Sequence, residues 1–259
     1  MSQQNNSPLS VRVVVAALLA LGVTATQAAG TPVPGMGTWE TTLQGRDLDG
    51  NASNGFEAFY DTALNITWLA DANYADTIGY VSPSFNVGGG YMTLDEGKAL
   101  VKSLNIGGVT GWRAPSLKDT GKPGCDNYSG LGGLDCGYNV DPSTSELAHL
   151  FHVTLGNKSA LAPDGTHRAA GDFGLINSGP FKNMQAVPGY GIGTPYAPDN
   201  TKIWAFNFSS GIQTFLNKES AGFGWAVHDG DVAAVPEPQS AALMLLGLAG
   251  VAALARRKR

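Results

Sequence analysis

Cysteine, histidine and charged residues are all scarce in this chain, and each scarcity excludes a class of function. Only two cysteines and four histidines occur among the 259 residues, so the repeated Cys and His pairs of a structural zinc site are missing. Lys and Arg number 16 against 21 Asp and Glu, which is the opposite of the basic stripe expected on a nucleic-acid-binding protein. We therefore predict neither a nucleic-acid partner nor a metal site held by histidine or cysteine.

The motifs of common hydrolases, zinc peptidases and nucleotide-binding enzymes are also missing. No Gly-x-Ser-x-Gly turn, His-Glu-x-x-His helix or phosphate-binding loop occurs. His149 and His152 stand three apart on a predicted helix, but the segment offers no third ligand, which favours a half-buried pair over a shared metal. Sequence places no nucleophile or base beside any of the four histidines, which are His149, His152, His167 and His228. The sequence thus predicts a protein that is not an enzyme.

Long apolar runs are confined to the two ends of the chain. Near the N-terminus, Arg12 precedes the apolar run 13–23, and mostly small residues occupy positions 25–30. A sparse basic region, a short apolar segment and a small-residue cleavage region are typical of a secretory signal peptide. We assign residues 1–29 to such a peptide, because the apolar run is short for the alternative, a membrane anchor that is not cleaved.

The second apolar run, residues 240–255, follows Pro236, Glu237 and Pro238 and is followed by four cations at 256–259. Its 16 residues fall short of the roughly 20 that a stable membrane-spanning helix needs. Positive charge stays on the cytoplasmic side, so this order places the body of the protein outside the cytoplasmic membrane. The two prolines keep the preceding backbone extended and accessible to a processing enzyme.

This tail resembles the PEP-CTERM sorting signal of Gram-negative bacteria, with Pro236, Glu237 and Pro238 as the motif. The resemblance implies transient insertion in the inner membrane, processing by an exosortase, and a final place at the cell surface or outside the cell. It also implies an association with exopolysaccharide, cell-surface glycans or biofilm matrix. The alternative is a plain C-terminal anchor. We assign residues 235–259 to this signal and residues 30–234 to one secreted domain.

The secreted domain is more acidic than the whole chain. Five of the 16 cations (Arg12 and residues 256–259) and one of the 21 acids (Glu237) lie in the two ends. The domain therefore keeps 11 cations and 20 acids, a net charge near −9. Its roughly 200 residues are enough for a single domain with a real hydrophobic core.

Cys125 and Cys136 are separated by a loop rich in Gly, Asp and Asn. Outside the cytoplasm, a close pair of cysteines favours a disulfide over a reactive thiol. Closing this loop contributes about 2–3 kcal/mol in the chain-entropy model. No further His or Cys stands nearby at ligand spacing, so the sequence disfavours a metal site here.

Alternating apolar residues and turn residues predict antiparallel strands, and two capping boxes predict two helices. Strands are predicted at 56–61, 66–69, 203–208, 212–216 and 222–228, the last three as an antiparallel meander. Helices are predicted from a box at Thr93 and Glu96, covering about 94–104, and from a box at Ser143 and Glu146, reaching about 153. Residues 156–201 are predicted to be mostly loop. The fold class that follows is α+β with two helices, antiparallel strands, long loops and one disulfide.

Five segments occur in an order similar to that of the DUF1566, or Lcl C-terminal, domain of secreted bacterial proteins. They are residues 60–69, 103–105, 111–115, 146–147 and 225–231. The Trp-Arg-x-Pro element of Trp112, Arg113 and Pro115 is the most specific of them. The resemblance covers about residues 55–232 and implies a C-type lectin-like fold without an established activity. Independently of the resemblance, the residues themselves favour Trp112 as a core residue and Arg113 as a structural partner of a carboxylate or carbonyls rather than a catalytic group.

Residues 47–51 (Asp-Leu-Asp-Gly-Asn) are similar to the start of a Ca²⁺-binding loop. An EF-hand loop requires Gly at position six and Glu at position twelve, where this chain has Ala52 and Ala58. The sequence therefore favours a polar turn, with Ca²⁺ as the alternative. The Glu-Pro-Asn and Gln-Pro-Asp triplets that C-type lectins use to bind sugars with Ca²⁺ are missing. No cofactor and no metal ligand is predicted.

Three hypotheses for the function follow. The leading one is a non-catalytic binding or matrix protein of the cell surface. The first alternative is an enzyme of the formylglycine-generating type, which requires a free reactive cysteine. The second alternative is a structural component of an appendage or matrix polymer.

Overall fold

A computed structural model describes residues 30–125 and 135–232, and within these ranges it contains nine strands and four α-helices. The strands are β1 (Leu43–Arg46), β2 (Ala58–Asp61), β3 (Ile66–Leu69), β4 (Met92–Thr93), β5 (Tyr190–Pro195), β6 (Lys202–Asn207), β7 (Ile212–Asn217), β8 (Ala221–Gly222) and β9 (Val227–Asp229). The helices are α1 (Trp39–Thr42), α2 (Tyr74–Thr77), α3 (Leu94–Ser103) and α4 (Glu146–His149). The predicted α+β class with antiparallel sheets is confirmed.

The first sheet joins the two ends of the described chain in the order β1-β2-β3-β9. β2 and β3 form the predicted hairpin, in which Ala58 lies opposite Leu69. β9 pairs antiparallel with the other edge of β3, where Val227 lies opposite Trp68. The last described strand is therefore needed to complete a sheet that begins near residue 43.

A second sheet has the order β5-β6-β7. Strands β4 and β8 pair in a separate two-stranded sheet. The β6–β7 hairpin is confirmed, and the apolar face formed by Trp204, Phe206 and Phe208 is buried. The third strand of the predicted meander is wrong, because residues 222–228 are divided between β8 and β9, which lie in different sheets. Gly224 interrupts them where the backbone passes α3 so closely that an added Cβ would lie 3.3 Å from Gly97 Cα.

The prediction that residues 156–201 are mostly loop is confirmed, with β5 (Tyr190–Pro195) as the one strand in this described range. Between 156 and 189 the structure shows isolated bridges only, and buried amide side chains supply the hydrogen bonds. Asn157 Oδ1 accepts from the Ile176 and Asn177 N–H groups at 3.1 and 2.9 Å. Asn177 Nδ2 donates to the Leu155 carbonyl at 2.8 Å. A long connection is thus ordered by side chains, which strand periodicity does not detect.

Helix α3 begins with the predicted capping box. The Thr93 hydroxyl accepts from Glu96 N at 3.2 Å, and Glu96 Oε2 accepts from Thr93 N at 2.8 Å. The same carboxylate accepts from Ser82 Oγ at 2.7 Å and from Ser84 N at 2.9 Å. Glu96 therefore connects the start of α3 to the loop that precedes β4.

The second predicted capping box is wrong. Ser143 lies in a 3₁₀ turn (Pro142–Thr144), and the N-cap of α4 is Ser145, whose hydroxyl accepts from Ala148 N at 3.4 Å. After one α-helical turn the segment continues as a π-helical turn, Leu150–Thr154. The carboxylate of Glu146 is not used for capping, because it binds a distant arginine.

The hydrophobic core is built around buried aromatic rings. The Trp225 ring lies 5.1 Å from that of Trp68, 5.0 Å from Phe181 and 5.3 Å from Tyr190, measured between centroids. Trp112 is buried, as predicted. These rings come from β3, the loop at Trp112, the long connection, β5 and the segment between β8 and β9, so the core unites segments from much of the described chain.

No helix within residues 30–125 and 135–232 is both long enough and apolar enough to cross a membrane. The predicted signal peptide (1–29) and the predicted membrane segment of the tail (within 235–259) lie outside the described residues.

Candidate functional site

An open groove of about 740 Å³ lies between α3, the segment around Arg113 and the end of β5. It is lined by Lys98, Ala99, Lys102, Gly111, Trp112, Arg113, Ala114, Ser116, Gly193, Thr194 and Pro195. Residues 111–114 therefore form one of its walls.

Small residues keep the groove open. Gly111 has a φ of +85°, in the region that favours glycine. A Cβ added at Gly193 would lie 3.4 Å from Ala114 Cβ and from the Pro115 carbonyl oxygen. Trp112 is 1% exposed and its ring nitrogen donates to the Val109 carbonyl at 3.0 Å. The ring thus supports the wall and presents no open face for stacking.

Arg113 is fixed by two carboxylates. Nη1 and Nη2 donate to the two Glu146 oxygens at 2.9 and 2.7 Å, and Nε and Nη2 donate to Asp229 Oδ1 at 2.9 and 2.6 Å. These hydrogen bonds raise the pKa of Arg113, Glu146 having the larger effect, and they lower the pKa of Asp229. The predicted structural pairing of Arg113 with a carboxylate is confirmed, and its charge is compensated within the protein.

Glu146 also accepts from Ser116 N at 2.6 Å, which ties the start of α4 to the segment after Arg113. Three segments that are far apart in the sequence thus meet in one cluster, through Arg113, Glu146 and Asp229. Glu146 was predicted to belong to a capping box, and only tertiary contact identifies its partner. Sequence alone predicted a carboxylate or carbonyl partner for Arg113 without identifying which one.

Two lysines on α3 provide the uncompensated charge of the groove. Lys98 and Lys102 are four residues apart, which places them on one face of the helix. Within the described part of the chain, neither ammonium group forms an ion pair or a hydrogen bond. The Ser116 hydroxyl, also in the lining, has no hydrogen-bond partner among the same residues. The groove therefore offers cationic and hydroxyl donors on a domain that is acidic overall.

The histidines do not form an accessible catalytic arrangement in the described residues. His149 Nδ1 lies 3.3 Å from Thr154 Oγ1, but the Thr154 side chain is fully buried. Burial lowers the pKa of His149 and lowers that of His152 to about 4. His228 packs edge-on against Trp112, with ring centroids 5.8 Å apart. The predicted half-buried pair of His149 and His152 agrees with this packing.

The predicted disulfide is present: Cys125 and Cys136 are bonded, and the described residues contain no free cysteine. Since the sequence has only these two cysteines, the thiol that a formylglycine-generating-type enzyme requires is oxidised here. The processing motif Pro236, Glu237 and Pro238 lies outside the described residues.

A cluster of three carboxylates lies apart from the groove. One oxygen each of Asp47, Asp49 and Glu57 lies within 4.8 Å of the other two, and no other such group of His, Cys, Asp or Glu occurs in residues 30–125 and 135–232. The sequence pattern pointed to Asp47 and Asp49 but not to Glu57. Its position does not fit the EF-hand spacing, and the pairing of β1 with β2 brings it to the loop.

Residues 234–259 match the family model of the PEP-CTERM protein-sorting motif. Such signals are recognised by exosortase, so the chain is an exported, exosortase-processed protein destined for the cell surface or the extracellular space. Comparisons with curated proteins and with solved structures found no match. The fold is thus α+β with one disulfide, and its predicted C-type lectin-like identity has no support from a solved structure.

Proposed function

We propose that the exported domain is a non-catalytic binding module that holds an acidic polysaccharide of the cell surface or biofilm matrix in the groove beside Arg113. The observation that carries the proposal is the pair Lys98 and Lys102, two uncompensated cations lining a groove of about 740 Å³ on an acidic domain. A negatively charged partner gains attraction there, while the rest of the surface repels it.

The rigid wall of the groove supports binding rather than chemistry. Arg113 binds both Glu146 and Asp229, and these contacts hold the wall in place. A groove that is preorganised in this way lowers the entropic penalty of binding. The resemblance to DUF1566, or Lcl C-terminal, domains implies a secreted setting, which agrees with a binding module that acts outside the cell.

The export signal supports the choice of partner. A protein released at the cell surface by an exosortase meets the exopolysaccharide of the producing cell and of its Gram-negative neighbours. Acidic polysaccharides present carboxylates and hydroxyls, which match the ammonium groups of Lys98 and Lys102 and the hydroxyl of Ser116.

The proposal is tested by measuring binding of the exported protein to matrix polysaccharide from the producing strain, to polygalacturonate and to neutral dextran. We expect binding to the two acidic polymers only, weakening as salt rises. Replacing both groove lysines, Lys98→Gln with Lys102→Gln, should weaken binding about tenfold, since each exposed ion pair contributes up to about 1 kcal/mol.

The matched control is Lys158→Gln, since Lys158 is exposed and outside the groove lining. It should leave the affinity unchanged. Absence of binding to every polymer, or equal affinity of the double variant and the wild-type protein, would refute this function.

A further inference from the structure

We propose that Asp47, Asp49 and Glu57 form a Ca²⁺ site that fixes the connection between β1 and β2. Asp47 is the first residue after β1 and Glu57 is the last residue before β2. The two strands are antiparallel with Arg46 opposite Ala58, so the next pair outward is Asp47 and Glu57. Strand pairing thus places two carboxylates side by side at the mouth of the connection.

The connection positions the third carboxylate. Leu48 is 1% exposed and anchors the loop in the core, while its N–H donates to Glu57 Oε2 at 2.8 Å. Gly50 has a φ of +77° and turns the chain back beside Asp49. One oxygen from each acid then lies within 4.8 Å of the others, the greatest separation of two oxygens bound to one Ca²⁺ at about 2.4 Å.

Hydrogen bonds within the loop occupy both oxygens of Asp49, at 2.8 Å each, but only some oxygens of the other two acids. Asp47 Oδ1 accepts from Gly50 N at 2.7 Å and from Asn51 N at 3.2 Å, as in a polar turn. Asp47 Oδ2 is buried and has no hydrogen-bond partner among the described residues, and Asp47 as a whole is only 7% exposed. A buried carboxylate oxygen without a partner is costly, and it lies in a cluster with two further acids. A bound cation supplies the missing partner.

Nearby basic groups do not replace the cation. None of the three acids takes part in an ion pair within residues 30–125 and 135–232. Lys182 lines a small cavity together with Glu57, but the two form no ion pair. Glu57 Oε1 likewise has no hydrogen bond among the described residues. Asp47 Oδ2 and Glu57 Oε1 therefore accept no hydrogen bond from the described residues and remain available to a metal.

The donor set selects the metal. All three donors are carboxylates, whereas zinc sites use His and Cys. Ca²⁺ accepts six to eight oxygens in irregular arrangements and binds with millimolar to submillimolar affinity in extracellular modules. Mg²⁺ requires near-octahedral geometry and retains several waters. An exported loop with a rigid, partly buried carboxylate set is therefore suited to Ca²⁺.

The test uses the purified full chain, stripped with EDTA and then titrated with CaCl₂ or MgCl₂ by calorimetry and thermal denaturation. We expect saturable Ca²⁺ binding with a Kd in or below the range of about 10⁻⁴–10⁻³ M. Saturating Ca²⁺ should also raise the Tm, because the ion binds the folded state. Asp49→Asn and Glu57→Gln should each raise the Kd at least tenfold.

Glu57→Gln keeps a side-chain oxygen that can accept from Leu48 N. It therefore removes the negative charge while keeping the hydrogen bond that holds the loop. The matched control is Asp172→Asn, since Asp172 is exposed and outside the cluster; it should bind Ca²⁺ like the wild type. The Tm of each variant in EDTA verifies its folding, and the two variants remove the site independently. A wild-type chain without a Ca²⁺ response, an equal response to Mg²⁺, or unchanged affinity in both variants would overturn the assignment.

Discussion

The guanidinium of Arg113 connects three segments that are far apart in the sequence. It binds Glu146 at the start of α4 and Asp229 at the end of β9, and both contacts use the planar fork of the side chain. Glu146 is largely buried, with 15% of its side chain exposed. At the scale of single residues, this pairing decides the position of the groove wall.

We expect Arg113→Lys to lower the free energy of unfolding by about 2–3 kcal/mol, because lysine cannot form the bidentate contact and leaves the largely buried Glu146 short of donors. Chemical denaturation at neutral pH measures the change. The control is Arg46→Lys. Its partner Asp231 is 46% exposed, so the loss should stay below about 1 kcal/mol. Equal losses in the two variants would contradict this role of Arg113.

Among the structural elements, α3 depends on one carboxylate at its first turn. Partial burial acts to raise the pKa of Glu96, but hydrogen bonds from Thr93, Ser82 and Ser84 outweigh it and lower the pKa to about 2. The folded-state pKa therefore lies below the unfolded value of 4.5. The stability that Glu96 provides is present above pH 4.5 and is lost as the pH falls towards 2.

For Glu96→Gln we expect a loss of about 1–2 kcal/mol at pH 7, typical of a broken helix cap, and almost no difference from the wild type at pH 2. Unfolding free energies measured between pH 2 and pH 7 show this convergence. Asp95→Asn is the matched control, because Asp95 lies in the same turn, is exposed and forms no side-chain hydrogen bond among the described residues. A difference at pH 2 as large as that at pH 7 would refute the assignment.

The two capping boxes show why the same local motif succeeds in one helix and fails in the other. Thr93 and Glu96 meet because nothing else competes more strongly for either group. Ser143 and Glu146 have the same spacing, but Pro142 begins a 3₁₀ turn and Arg113 takes the carboxylate. A distant charged partner outweighs a local backbone donor, and no sequence window contains both.

On the scale of the whole molecule, the described domain is closed by its last strand. Thr67 Oγ1 donates to the Gly230 carbonyl at 2.7 Å, and Asp229 and Asp231 hold Arg113 and Arg46. Val232, 4% exposed, is the last buried residue of the described chain. Removal of the sorting signal therefore leaves these contacts intact.

A chain that ends at residue 234 should unfold at the same temperature as the full chain. A chain that ends at residue 226 lacks β9 and both aspartates, so we expect no cooperative unfolding transition and a weak near-ultraviolet circular dichroism spectrum. Thermal denaturation of the two truncations provides the measurement. If the shorter chain melts within a few degrees of the longer one, β9 does not close the domain.

The sequence by itself determined the local structural features of this protein and the sorting signal at its C-terminal end. The sorting motif, the short-range disulfide, the cap of α3 and the hairpins β2–β3 and β6–β7 all depend on residues close together in the chain, so local patterns predicted them. The tertiary structure alone decided the site. It brought Glu146 and Asp229 to Arg113, completed the Asp47 and Asp49 cluster with Glu57, and moved β9 into the first sheet. Contacts of that kind depend on which distant segments pack in the same core and which distant charged groups pair. No short stretch of sequence specifies either.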